Sequence, residues 1–523
     1  MKVIDNFDTG LALGPNRPVL VDPGTGEVRT YNEVARFTHR FAHAVRSRGL
    51  GKDSKIAVLS RNDVLMYEVI LGTMRSDAIW TPISARASYP ETVDLLTRFD
   101  CDVLFYEEGT EALLGLIAAS SRRGMDTVPL NREAVERWVG DQPDTDFRSD
   151  ATGETIYAIQ ATGGTTGVPK GVLFSNDNAE YIVRSFETMC PFTATERTPH
   201  PVFLASAPLT HAAGQVMQLA LRQGGTGVVV GAARPAELLE LIERFSVTHL
   251  FLPPTVIYGM LEQPTLTAHD YSSLQYLLYG AAPMSPNKLA QAVDAFGPVL
   301  AQLYGQTETG VPNVFMRPEE HFVDGDPANG IAPASRLTAA GRPVPGTSLV
   351  ILDEDGNPRP VGATGEIAID CKGVTPGYYD DPEATAAVKA GRYHRTGDIA
   401  FIDEDGFVHI VDRKRDIIIT GGFNVYSAEV ERRILSFPGV QECSVFGVPD
   451  EKWGEAVTAA LELSPGATVD IEELRAYCRA ELGPVKTPKH FEIRDRLPRS
   501  AVGKVLKREL RAEHWKGNKR MVS

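Results

Sequence analysis

Residues 160–172, QATGGTTGVPKGV, place four glycines, three threonines and one lysine in a single short stretch. The strand-like ETIYAIQ leads in and GVLFS leads out as a second strand. A plain hairpin turn needs one or two glycines, not four. Glycine has no Cβ, so backbone amides at Gly163, Gly164 and Gly167 can approach an anion closely. Thr162, Thr165 and Thr166 add hydroxyl donors, and Lys170 adds a positive charge. The stretch therefore reads as a phosphate cradle. It is not a Walker loop, because Pro169 precedes Lys170 and Gly171 follows it. Pro169 also disfavours helix at Val168, so no helix opens here.

Outward from this loop the chain alternates helix and strand. In TYNEVARFTHRFAHAVRSRGL, Thr30 and Glu33 have capping-box spacing, and Val34, Phe37, Phe41 and Val45 recur at helical spacing. KIAVLS follows as a buried strand. ELLELIERFSV then THLFLPP, and SPNKLAQAVDAF then PVLAQLYG, repeat the pattern. Such alternation predicts an α/β protein with more than one parallel sheet. From about residue 340 the texture changes to hairpins with Asp-Gly turns, SLVILDEDGNPRPVGATGEIAID and IAFIDEDGFVHIVDRKRDIIIT, as in a small barrel-like β unit. An α+β pattern closes the chain. Ser427 is placed to cap AEVERRILSF, and Asp470 with Glu473 to cap IEELRAYCRAEL, which Gly483-Pro484 ends. The expected division is 1–411, a hinge at 412–416, and 417–523.

The 523 residues exceed one ordinary core, and 43% hydrophobic with 23% charged residues is a globular composition. A net charge of −15 argues against nonspecific nucleic-acid binding. Charge is unevenly spread: residues 486–523 hold 12 basic against 4 acidic side chains. Five scattered cysteines form no CxxC or Cys/His cluster, so neither a disulfide framework nor a metal site is supported. No apolar run is long enough to span a bilayer, and MKVIDNFDTG is charged where a signal peptide is apolar. A soluble, cytoplasmic protein is expected.

The stretch TGGTTGVPKG resembles the phosphate-binding signature of the adenylate-forming superfamily, which includes acyl-CoA synthetases, peptide-synthetase adenylation domains and luciferases. Gly163 stands where the usual form has serine. Other signatures follow in order over essentially the whole chain. LYGQTETG ends an apolar strand in a loop presenting an aromatic, a hydroxyl and a carboxylate. The resemblance implies Tyr304, Gly305 and Gln306 beside adenine, Thr307 on the α-phosphate, and Glu308 with Thr165 on Mg²⁺. YGAAP contributes Gly280, Ala281 and Ala282 to the nucleotide and acyl site. In HRTGD, Asp398 is implied to accept the ribose hydroxyls; its alternative reading is a turn-capping aspartate.

VDRKRDIIITGGFNVYSAEVE carries Arg413 for ribose or phosphate and Arg415 at the hinge, where the family more often has Asp or Lys. Gly421, Gly422 and Phe423 match the loop lining the CoA tunnel. In LPRSAVGKVLKREL, Lys504 matches the catalytic lysine of a mobile C-terminal domain. His211, in APLTHAAG, is implied to lie near the acyl pocket, although a histidine at a strand end is most often structural. The implied activity is an AMP-forming acid–thiol ligase of the fatty-acid-metabolism type, using ATP, Mg²⁺ and CoA. A carrier-protein phosphopantetheine is the alternative acceptor, a non-catalytic nucleotide-binding module a third and weaker reading, and a homodimer is compatible with the sequence. Fatty, alicyclic and aromatic acids fit the signatures alike.

Overall fold

The computed structural model describes residues 1–120, 124–162, 169–231, 234–499 and 505–515. Helix Tyr31–Ser47 shows how the elements arise. The Thr30 hydroxyl accepts from the Glu33 amide at 3.3 Å, and the Glu33 carboxylate accepts from the Thr30 amide at 2.8 Å. Both halves of the expected capping box are thus made. Val34, Phe37, Phe41 and Val45 are all buried along one stripe. Burying each such side chain contributes about 2 kcal/mol.

Two open sheets carry the first part of the chain. The six-stranded sheet runs in the order Asp126–Pro129, Val103–Tyr106, Lys55–Ser60, Ile79–Ser84, Ile156–Thr162, Lys170–Ser175. Its first five strands are parallel, and Lys170–Ser175 pairs antiparallel with Ile156–Thr162, setting Thr162 opposite Lys170. The nine-stranded sheet has a parallel centre: Leu300–Gln306, Tyr276–Gly280, His249–Leu252, Val202–Ala205, Thr226–Val229 and Pro18–Val21. One apolar cluster joins the sheets, from Val58 and Phe105 of the first to Phe203, Leu278 and Leu303 of the second. The fold is α/β, as the alternating pattern implies.

The hairpin region forms a five-stranded antiparallel sheet: Ser348–Leu352, Gly365–Asp370, Lys389–Ala390, Tyr393–Ile402 and Val408–Arg413. Its expected Asp-Gly turns are present, with Gly356 at φ +87° and Gly406 at φ +82°. Sheet membership then changes. Lys414–Asp416 makes one 3₁₀ turn, and Ile418–Thr420 joins a different sheet with Phe423–Val425, Val440–Asp450, Gly454–Leu463 and His490–Ile493. Helices Ser427–Leu435, Ile471–Lys486 and Lys507–His514 cover this last sheet. All five cysteines are free.

Asp470 caps its helix as expected, accepting from the amides of Glu472 and Glu473, and Gly483 breaks the helical path at φ +72°. Ser427 does not cap. It is the first helical residue, and its hydroxyl accepts instead from the Lys507 ammonium at 2.6 Å. The capping oxygen comes from Asp412, whose Oδ2 accepts from the Ser427 amide and, at 3.4 Å, from the Ala428 amide. A carboxylate outcompetes a hydroxyl here because it adds charge at the positive helix end. Asp412 also lies in the preceding sheet, so the cap bridges the point where sheet membership changes. Asp412→Ala is expected to cost about 1–2 kcal/mol in the denaturant stability of residues 417–515. A loss below about 0.3 kcal/mol contradicts the capping role.

Candidate active site

In an open α/β sheet the carboxyl ends of parallel strands open onto the ligand crevice. Strand Leu300–Gln306 ends in a 3₁₀ turn, Thr307–Thr309, and the chain returns antiparallel as Gly310–Met316. The turn is pinned from beneath. The buried Thr309 hydroxyl donates to Asn313 Oδ1 at 2.5 Å, and Asn313 Nδ2 returns a bond to the Thr309 carbonyl at 3.0 Å. Gly310 has φ +72° and would set a Cβ 3.0 Å from Ile182, so the turn requires glycine.

This turn presents Glu308 to the other sheet. Its Oε1 accepts from the Thr162 hydroxyl at 3.5 Å and from the Tyr378 hydroxyl at 3.1 Å. The Lys170 ammonium lies 5.0 Å from the centre of the Tyr378 ring, within cation–π range. Burial first, and then the Glu308 charge, push the Tyr378 phenol well up, so it stays a neutral donor. Thr162, Lys170 and Glu308, all singled out in the sequence, therefore converge. Tyr378 was not, because it reaches the site through long-range pairing that includes its bridge to Val172. Gly163, Gly164, Thr165, Thr166 and Gly167 lie outside the described residues, as does Lys504.

A second cluster flanks the first. The Tyr304 hydroxyl donates to Asp398 Oδ2 at 2.7 Å, and Arg413 Nε lies 3.6 Å from Asp398 Oδ1. Asp398 and Arg413 are register partners on neighbouring strands, which fixes that pair. Gln306 Nε2 donates to the Thr396 carbonyl at 3.1 Å, docking the same hairpin onto the nine-stranded sheet. Burial, then the Asp398 charge, raise the Tyr304 phenol far above its usual range. Tyr304 is thus a fixed, neutral aromatic edge. Gly305 would set a Cβ 2.8 Å from the Gly310 carbonyl, and Gly280 one 2.6 Å from the Leu303 carbonyl. Ala281 holds φ +68°, a left-handed conformation that costs an L-residue about 1–2 kcal/mol. Ala282 beside it is exposed.

His211 precedes helix Ala212–Arg222 at the carboxyl end of strand Val202–Ala205. Its Nδ1 is 2.9 Å from the Thr210 hydroxyl, and Gln160 Nε2 donates to the Thr210 carbonyl at 2.9 Å. The strand leading to the glycine loop thereby holds the His211 corner. Arg415, in the turn Lys414–Asp416, is pushed below its usual range by burial and by Arg413.

Gly421 and Gly422 turn the hairpin Ile418–Val425 at φ +58° and +82°, leaving Phe423 62% exposed beside exposed Trp453. Arg499, near Lys504 in sequence, pairs with Glu442 and Glu462. Burial raises the Tyr258 phenol, and Glu442 adds to the rise. Tyr258 in turn accepts from the Ser285 amide at 3.0 Å, just past Ala282. A surface hollow of about 400 Å³, lined by Thr193, Arg197, Ser272 and Gln275, lies at the amino end of strand Tyr276–Gly280 and holds none of these residues.

Among the described residues no three His, Cys, Asp or Glu side chains form a metal cluster. Mg²⁺ bound through phosphates needs only one or two carboxylates, and Glu308 fits that demand. Among the described residues, both hydrogen bonds to its carboxylate fall on Oε1, and Oε2 is the oxygen that would take a cation.

The AMP-binding enzyme family matches residues 7–379, and the AMP-binding enzyme C-terminal domain matches 429–504. The chain belongs to this family. It is an ATP-dependent, AMP-forming ligase of the adenylate-forming superfamily. A feruloyl-CoA synthase of Amycolatopsis sp is 32% identical over 96% of the chain and 98% of its own length. The fatty acid–[acyl-carrier-protein] ligase ScoC of Streptomyces coeruleorubidus is 31% identical, covering 95% and 94%. The solved amide bond synthetase McbA of Marinactinospora thermotolerans superposes with a TM-score of 0.85 at 30% identity, covering 98% and 99%. No helix among the described residues is long and apolar enough to cross a membrane. Removing one hydrogen bond at the Tyr304–Asp398 pair costs about 1 kcal/mol. Tyr304→Phe is accordingly expected to raise the KM for ATP about fivefold with little change in kcat, measured by pyrophosphate release. An unchanged KM contradicts the placement of this pair at the nucleotide.

Proposed function

We propose that the protein is an acyl-CoA synthetase acting in two steps. A carboxylate oxygen attacks the α-phosphorus of ATP, the bond to the bridging oxygen breaks, and pyrophosphate leaves. The thiolate of CoA then attacks the carbonyl carbon of the acyl-adenylate, and AMP leaves with the bonding electrons. The observation that carries this reading is the convergence of Thr162, Lys170 and Glu308, from two sheets, at the mouth of the glycine loop.

The chemistry explains the need for these residues. Two unit charges about 4 Å apart repel by about 1 kcal/mol in water and about 4 kcal/mol at an effective dielectric of 20. A carboxylate meeting a triphosphate in a cleft faces several such pairs. Amides and hydroxyls of residues 162–167, with Lys170, offset that charge where it develops. Glu308, with Thr165, would hold Mg²⁺, which supplies charge neutralisation at the phosphates when bound. Tyr304, Gly305, Gln306 and Gly280–Ala282 flank the adenine; Thr307 meets the α-phosphate; Asp398 and Arg413 take the ribose. His211 lies towards the acid.

Lys504 belongs to the proposed mobile unit, residues 417–523, and the cradle to residues 1–411. They meet only by closure about 412–416, with Arg415 as the pivot. Rotation then brings the Gly421–Phe423 hairpin to the site for CoA; its exposed Phe423 supports that role. A carrier-protein phosphopantetheine is the second reading, favoured by the basic segment 486–523. Turnover with free CoA against an acidic carrier separates the two. The free cysteines suit a reducing cytoplasm.

Two variants test the scheme. Glu308→Gln is expected to lower adenylation about 10²–10³-fold, as for removal of one transition-state partner. Lys504→Ala is expected to abolish acyl-AMP formation yet form thioester from supplied acyl-AMP at near wild-type rate. Adenylation surviving in Lys504→Ala contradicts the assignment.

A further inference from the structure

Helix Lys507–His514 lies against the segment where sheet membership changes, and two of its cations hold that segment. The Lys507 ammonium donates to the Ser427 hydroxyl at 2.6 Å and pairs with Glu431 at 2.8 Å. Arg511, one turn further along the same face, pairs with Asp416 at 2.9 Å. Glu431 also accepts from the Val445 amide at 2.7 Å, which fixes it to the last sheet. The Lys507 and Glu431 side chains are 18% and 20% exposed, so solvent ions screen their charges little.

Asp412 stands at the centre of this set. Its Oδ2 caps helix Ser427–Leu435 through the Ser427 amide, and its Oδ1 accepts from the Arg413 amide at 2.7 Å. Arg413 is the last residue of its strand, and the ladder shifts register between Ile399 and Ala400, at the level of Asp412. Where pairing is irregular, the carboxylate supplies a fixed point for the Arg413 backbone. The Arg413 guanidinium in turn reaches Asp398, which the Tyr304 hydroxyl holds from the nine-stranded sheet. A run of polar contacts thus leads from Lys507 through Ser427, Asp412 and Arg413 to the Tyr304–Asp398 pair.

Charge balance gives Lys507 its part in that run. Burial pushes the Glu431 carboxyl up, Lys507 draws it back, and the Asp412 charge adds to the rise. Asp412 and Glu431 are therefore close enough to repel. Burial opposes the Lys507 charge, yet Glu431, Asp412 and Asp416 together hold its ammonium above the usual range. Without that ammonium the two carboxylates lose a shared cation and push apart. Any shift of Asp412 carries the Arg413 amide with it.

We propose that Lys507 is a positioning residue for the nucleotide: by neutralising Asp412 and Glu431 it keeps Arg413 on Asp398, and so couples docking of the last helix to ATP affinity. This inference rests on the placement of ATP at Tyr304, Asp398 and Arg413 given above. Such coupling is reciprocal, so bound ATP also stabilises the docked helix by the same factor.

The test measures ATP affinity of the full chain by calorimetry with Mg²⁺. Lys507→Met is expected to weaken ATP about fivefold or more, while Lys507→Arg, which keeps the charge, stays within about twofold. Adding Glu431→Gln to Lys507→Met removes the uncompensated carboxylate and is expected to recover most of the affinity. A lysine that only packs the domain gains nothing from that second change. In wild type, saturating ATP is expected to slow amide hydrogen exchange in residues 508–515 about fivefold. Should Lys507→Met fail to fold, this wild-type measurement decides alone. Wild-type affinity in Lys507→Met, a loss that Glu431→Gln leaves unrestored, or exchange at 508–515 indifferent to ATP each overturns the inference. Tyr304→Phe separates the two failures. If it weakens ATP while Lys507→Met does not, this inference alone falls; if neither does, the nucleotide placement falls with it.

Discussion

The Thr162 hydroxyl bonded to the Glu308 carboxylate is the interaction on which the site depends. Thr162 ends a strand of the six-stranded sheet, Glu308 sits in the turn after a strand of the nine-stranded one, and the two are 146 positions apart in sequence. The sheets share one apolar core, but a core is non-directional and fixes no atom at the crevice. The polar contact does. It aligns the mouth of the glycine loop with the carboxylate that would hold the metal, and Tyr378 secures the same oxygen from a third segment.

Around that contact the fold divides its labour by rigidity. The Thr309–Asn313 exchange and the required Gly310 hold the Glu308 turn from below. The Tyr304–Asp398–Arg413 set ties the small antiparallel sheet to the nine-stranded one, making a stiff wall. Beyond Arg413 the chain passes through one 3₁₀ turn, tied on one side by Lys414 on Glu366 and on the other by the Asp412 cap.

Local signals were legible wherever the chain speaks to its near neighbours. The Thr30–Glu33 box, the strands flanking the glycine loop and the Asp-Gly turns all depend on spacings of a few residues. The resemblance supplied Glu308, Asp398 and Arg413, and the geometry puts them in two adjoining clusters. Tyr378 was illegible because long-range pairing brings it to the site, through the Val172 bridge and the bond from the Tyr379 amide to the Gly171 carbonyl. Ser427 reads as a cap in sequence, since the competing carboxylate of Asp412, 15 residues earlier, enters through tertiary structure.

The most direct measurement is a structure of the protein with Mg²⁺ and a non-hydrolysable ATP analogue. The account requires the triphosphate in the loop between Thr162 and Lys170, the metal on Glu308, and the adenine beside Tyr304. A nucleotide bound elsewhere, with Glu308 still held only by Thr162 and Tyr378 and no metal near it, contradicts the account.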